Sequence, residues 1–67
     1  MKTKKDVLKE YLDDAKESIL KIDITEQYLQ EKNAQKENHH ILEELAKLQA
    51  QKKETEEWIT YLETQLQ

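Results

Sequence analysis

Apolar residues recur along this chain at alternating spacings of four and three, the repeat of a helix that packs along one stripe against another helix. The first run is interrupted at Glu26; its members are Leu8, Leu12, Ala15, Ile19, Ile22 and Leu29. The second run is interrupted at Lys52 and Thr55; its members are Ile41, Leu45, Leu48, Ile59, Leu62 and Leu66. Each half of the chain is therefore predicted to be a helix with one buried stripe, which we call the seam.

The two runs do not share a phase, because the first run, extended forward, misses the start of the second by one residue. A single straight helix would carry its seam from one side to another, so the chain is predicted to fold back. We expect helices over about 4–33 and 39–66, with a turn over about 34–38. Asn33 and Asn38 favour this turn, since Asn tolerates the left-handed backbone that ends helices and can also cap the next helix. A continuous bent helix is the alternative.

Composition restricts both the fold and the chemistry. The chain has 67 residues with no Gly, Pro or Cys, and 39% of them are charged. Phosphate-binding loops, nucleophile elbows, disulfides and thiolate zinc sites are therefore excluded. The predicted fold is all-α: a single domain over 1–67, an antiparallel two-helix coiled-coil hairpin. So short a chain buries little surface alone, so the hairpin is expected to dimerise into a four-helix bundle.

The stretch 18–30 is apolar on more than one side of its helix. Ile22 belongs to the seam, whereas Leu20, Ile24 and Tyr28 form a strip outside it at four-residue spacing. We therefore expect this segment to bury two surfaces, one inside the hairpin and one against a second copy or another protein.

An alternative interpretation breaks the first helix within the same stretch. It ends the helix near Leu20, makes 21–25 a short extended segment, and restarts at Asp23 with Glu26 completing a capping box. The heptad repeat passes through these residues without slipping, which favours the continuous helix.

The residues beside the seam differ between the two flanks. On one flank the antiparallel arrangement is predicted to bring Lys9 near Glu63 and Lys16 near Glu56, which favours this register. The other flank is largely uncharged and carries aromatic residues, as expected of a surface that a further helix covers. The residues predicted to form a partner or dimer interface are Tyr11, Leu20, Ile24, Tyr28, Trp58 and Tyr61.

The polar residues within the seam are predicted to set its register. Glu26, Lys52 and Thr55 cost stability there, but wrong pairings would leave them without partners. Glu26 and Lys52 lie about one turn apart in the predicted hairpin and are expected to reach each other.

One segment resembles a metal-binding pattern. Glu37 and His40 have the Glu-x-x-His spacing of di-iron helical bundles, and His39 with Glu43 is a one-turn pair. These residues fall outside the seam, so we predict no metal site and no cofactor; a metal-binding helical bundle is a remote alternative. Ser18 is the only Ser, and a thin hairpin offers no enclosed pocket, so we predict no enzymatic activity and no small-molecule substrate.

The predicted function is protein–protein interaction. The net charge of −4 and the absence of a basic stripe disfavour nucleic acid, and no apolar run indicates a leader or a membrane anchor, so a cytoplasmic location is expected. A non-catalytic hairpin acts by binding, so we expect an inhibitor, regulator or adaptor of a larger protein. Size and composition favour a bacterial, phage or mobile-element accessory protein that targets a host factor. The alternative is a structural, homo-oligomeric coiled-coil scaffold.

Overall fold

The chain folds into an antiparallel pair of helices. The computed structural model describes all 67 residues, with α1 spanning Lys4–Gln35 and α2 spanning His39–Leu66. The start of α1 lies beside the end of α2, since the rings of Tyr11 and Trp58 are in contact, with centroids 6.2 Å apart. The predicted all-α helical hairpin is confirmed, and the continuous bent helix is excluded. Neither helix contains a stretch long and apolar enough to cross a membrane.

A reciprocal pair of hydrogen bonds starts α1. The Thr3 hydroxyl accepts from the backbone N–H of Asp6 at 3.2 Å, and the Asp6 carboxylate accepts from the backbone N–H of Thr3 at 3.1 Å. This is a capping box with Asp in the position more often held by Glu or Gln. The carboxylate also lies in the first turn, where it complements the positive end of the helix dipole.

The connection between the helices uses extended backbone. No residue in the chain has a positive φ. The first helix therefore does not end in the left-handed backbone conformation that the two asparagines favoured. Instead, Lys36 is extended, with φ −153° and ψ 112°, and the Asn33 side chain accepts from the backbone N–H of Asn38 at 3.0 Å. Asn38 caps α2 as predicted, because its side chain accepts from the backbone N–H of His40 at 2.9 Å. Side-chain amides thus replace the glycine that such turns usually contain.

Helix α1 runs without interruption through residues 21–25. Within this segment the Thr25 hydroxyl donates to the backbone carbonyl of Lys21 at 2.9 Å, and Ile22 stays in the seam. An extended break would have removed Ile22 from the seam, so packing overrides the local strand preference of this segment. The alternative with a break is excluded.

The core is the seam itself and little else. Only Ala15, Ile41 and Leu62 are buried, with 6%, 7% and 0% of their surface exposed. The other apolar seam residues are half-buried: Leu8, Leu12, Ile19, Ile22, Leu29, Leu45, Leu48, Ile59 and Leu66. Two helices cover only one side of each other, so the seam stays open to solvent along both flanks.

Replacing Leu62 by Ala is expected to lower the free energy of unfolding by about 2–5 kcal/mol, because it removes the one fully buried large side chain and leaves a cavity. Urea unfolding followed by circular dichroism measures the loss. Leu20→Ala is the matched control: this exposed leucine on α1 should change the stability by less than about 0.5 kcal/mol. Equal losses for the two variants would contradict the assignment of the core.

Candidate interaction surfaces

Three aromatic side chains form a continuous exposed cluster near the chain termini. Tyr11 and Trp58 have ring centroids 6.2 Å apart at an interplanar angle of 42°. Trp58 and Tyr61 are stacked, with centroids 5.7 Å apart and planes 10° from parallel. Between 44% and 54% of each residue is exposed. We call Tyr11, Trp58 and Tyr61 the aromatic cluster, and its exposure on one face makes it a candidate binding surface.

The seam places this cluster. Tyr11 and Trp58 each directly precede a seam residue, Leu12 and Ile59, so both point to the same flank. Antiparallel pairing brings that flank of α1 beside the same flank of α2, and Tyr61 follows Trp58 by one turn. The sequence predicted that Tyr11 and Trp58 share a flank; the stacking of Tyr61 on Trp58 became apparent only in the structure.

An open groove runs from the aromatic cluster along this flank between the helices. Its first section is lined by Tyr11, Asp14, Ala15, Ser18, Thr55 and Trp58. Its second section is lined by Ser18, Lys21, Ile22, Gln51, Glu54 and Thr55. We call this the aromatic groove. Small and uncharged residues form much of its lining, which lets another helix approach closely.

A second apolar surface lies on α1. Leu20, Ile24 and Tyr28 are 60–69% exposed and follow one another at four-residue spacing. We call them the outer strip. Leu20 also borders a shallow groove on the flank opposite the aromatic cluster, where Ile19 and Ile59 form the apolar lining. All six residues predicted to form an interface therefore remain exposed in the single hairpin.

One ion pair joins the two helices, and its acidic partner differs from the predicted one. Lys52 Nζ lies 2.8 Å from Asp23 Oδ1, so Asp23 rather than Glu26 neutralises the lysine in the seam. The hydrogen bond and charge of Asp23 raise the pKa of Lys52 above its ordinary value; Glu26 and Glu56 add smaller increases, and desolvation opposes them. The Oε1 atom of Glu26 is buried without a hydrogen-bond partner.

The remaining predicted polar contacts do not cross between the helices. Thr55 donates its hydroxyl proton to the backbone carbonyl of Gln51 at 2.8 Å, within α2. Neither Lys9 with Glu63 nor Lys16 with Glu56 forms an ion pair, although Lys16 and Glu56 both border the shallow groove beside Leu20. These flank positions are exposed, where an ion pair contributes little to stability.

The histidine segment forms local contacts only. His39 Nε2 lies 3.2 Å from Glu43 Oε1, and His40 Nδ1 lies 3.9 Å from Glu43 Oε2. Glu37 lies in the connection before the cap of α2, so the Glu37–His40 spacing does not fall on a helix. No group of three or more potential ligands is assembled anywhere in the chain.

The Lys52–Asp23 pair is expected to stabilise the hairpin at neutral pH and to stop doing so at high pH. Because the folded-state pKa of Lys52 is raised, its contribution is fully present below the unfolded pKa and is lost as pH rises through the folded pKa. The difference in urea midpoint between the wild-type chain and Asp23→Asn should therefore be constant below about pH 9 and shrink as the pH rises above 10.5, the ordinary pKa of lysine. A difference that stays constant would contradict the assignment.

Both grooves are open to solvent along one side. Their apolar and aromatic residues are of the types that dominate protein interfaces. Comparison with protein-family models, with curated proteins and with solved structures finds no match for this chain.

Proposed function

We propose that this protein is a small, non-catalytic protein–protein interaction module that acts as an inhibitor, regulator or adaptor by binding a larger protein. One observation carries the proposal: six large apolar or aromatic side chains are 44–69% exposed and grouped into two surfaces, the aromatic cluster and the outer strip. A chain that buries only three residues gains by covering such surfaces with a partner.

The outer strip supplies a specific mode of binding. Leu20, Ile24 and Tyr28 occupy i, i+4 and i+8 of one long helix, the spacing of anchors that insert into an apolar groove of another protein. Ile24 stands out in its row: Glu10, Glu17 and Glu31 occupy the equivalent heptad positions. Ile24 is 69% exposed and lies between Leu20 and Tyr28, so it makes the strip a continuous apolar surface that a partner can cover. We extend the proposal to a cytoplasmic accessory protein of bacterial, phage or mobile-element origin that targets a host factor.

A structural, homo-oligomeric scaffold is the second candidate. It is favoured by the half-buried seam, because packing hairpins together would complete the core without any other protein. The two candidates differ at the outer strip. The interaction module requires this surface to bind a different protein, whereas the scaffold does not.

Ile24→Glu tests the proposal. The variant extends the row of glutamates and keeps a good helix former at an exposed position, so circular dichroism should be unchanged. Tagged wild-type and variant chains are incubated with lysate of the encoding cells, and the captured proteins are identified by mass spectrometry. We expect a stoichiometric partner that the variant loses at least about tenfold, as desolvated anchors usually require.

Glu10→Gln serves as the control, because it changes an equivalent heptad position that lies well before the outer strip, and it should retain the partner. Failure of the wild-type chain to capture any partner, or capture that Ile24→Glu leaves intact, would contradict the role assigned to the outer strip.

A further inference from the structure

We propose that the aromatic groove is occupied by a second copy of this chain, packed face to face about a two-fold axis parallel to the helices. This inference rests on the proposed function in one respect: it divides the two exposed surfaces between different occupants. The aromatic groove serves self-association, and the outer strip remains for the heterologous partner.

The exposed area of the single hairpin matches what such a dimer requires. The chain has a mass of 8.1 kDa and exposes 5563 Å², whereas a compact monomer of this mass exposes roughly 4,500 Å². The excess of roughly 1,000 Å² is comparable with the roughly 800 Å² that each partner buries in a standard interface. The extents of 52 × 17 × 14 Å show where this excess lies: the hairpin is a rod one layer thick, and its long sides are exposed.

The aromatic groove is built like half of a bundle core. Aromatic rings lie at one end, and Ala15, Ser18 and Thr55 line its floor, so a second hairpin can approach closely. Charged residues lie along its rims. The α1 rim carries Asp14, then Lys21, while the α2 rim carries Glu54 beside Lys21 in the same section of the groove.

The charges on the rims of two copies are complementary in one orientation of the dimer. A two-fold axis parallel to the helices places the α1 rim of each copy against the α2 rim of the other at the same level. Lys21 then faces Glu54 of the second copy, and symmetry repeats this pairing. The same register sets Asp14 near Tyr61 of the second copy, which allows the phenol to donate a hydrogen bond to the carboxylate.

The other face-to-face orientation is unfavourable. A two-fold axis perpendicular to the helices would pair α1 with α1 of the second copy. The opposite charges on the α1 rim would then meet if Asp14 faced Lys21, and this register centres the axis near Ser18. Ser18 lies level with Thr55, since both line the two sections of the groove. Glu54 would then face Glu54 of the second copy, and like charges at close range oppose association.

Charge reversal with mixing tests both the dimer and its orientation. The wild-type chain should sediment at twice its 8.1 kDa mass. Lys21→Glu and Glu54→Lys each create two like-charge contacts across the proposed interface, so each variant alone should weaken the dimer by about tenfold or more. An equimolar mixture of the two variants should restore the dimer. In a dimer that contains one copy of each variant, the two introduced charges face each other in one contact and the native Lys21–Glu54 pair forms the other. Repair by mixing shows that the contact is intermolecular. Weakening by Glu54→Lys alone identifies the orientation, because the perpendicular axis would only exchange a Glu–Glu contact for a Lys–Lys contact.

Lys16→Glu and Glu56→Lys are the matched controls, since they make the same changes at level positions on the opposite flank. Both should leave the dimer intact. Trp58→Ala provides a second measurement: it should keep the helix signal and shift the chain toward monomer. Circular dichroism on every variant separates loss of association from loss of folding.

A wild-type chain that is monomeric at hundreds of micromolar would overturn the inference. So would single charge reversals that stay dimeric, or a mixture that fails to recover the dimer. These outcomes are separate from the test of the proposed function: a monomer that still captures an Ile24-dependent partner retains the function and loses the dimer. A dimer that captures no such partner retains this inference and loses the function.

Discussion

Two helices in contact can bury only one stripe of each other, and every other feature of this hairpin depends on that limit. The seam shields Ala15, Ile41 and Leu62 and leaves the other apolar seam residues half exposed. Both flanks of the pair therefore face solvent whatever residues they carry. The chain places charges along one flank and aromatic residues along the other. Exposing the aromatic flank to water is unfavourable in free energy unless another molecule covers it.

The two charged residues that interrupt the seam differ in their contacts. Lys52 occupies a seam position, yet its partner Asp23 lies on the flank, 2.8 Å away. This leaves Glu26 with a buried carboxylate oxygen that accepts no hydrogen bond, which disfavours the fold locally. A register shifted by one heptad would separate Lys52 from Asp23 and place a lysine in the seam without a partner.

The two proposed occupants are compatible in space. A dimer through the aromatic groove leaves Leu20 and Ile24 on the outside of each hairpin, on opposite sides of the assembly. Each dimer would present two copies of the outer strip, so a target that is itself paired or repeated would be held by both at once. Such bivalent binding raises affinity without any new contact, provided the spacing of the target sites matches. Self-association and partner binding would then reinforce each other.

The sequence alone determined the two helices, the seam and the location of the turn, because helical periodicity is local and the change of phase between Leu29 and Ile41 is visible without coordinates. It also identified Asn38 as a cap and assigned Tyr11 and Trp58 to one flank. Only the tertiary structure decided which carboxylate Lys52 contacts, that Asn33 closes the turn with extended backbone, and that Tyr61 stacks on Trp58. The phase of the heptad repeat places a residue on one face of its helix, but a long side chain on that face can reach several partners. The choice among them depends on distances and solvation that exist only once both helices are packed together.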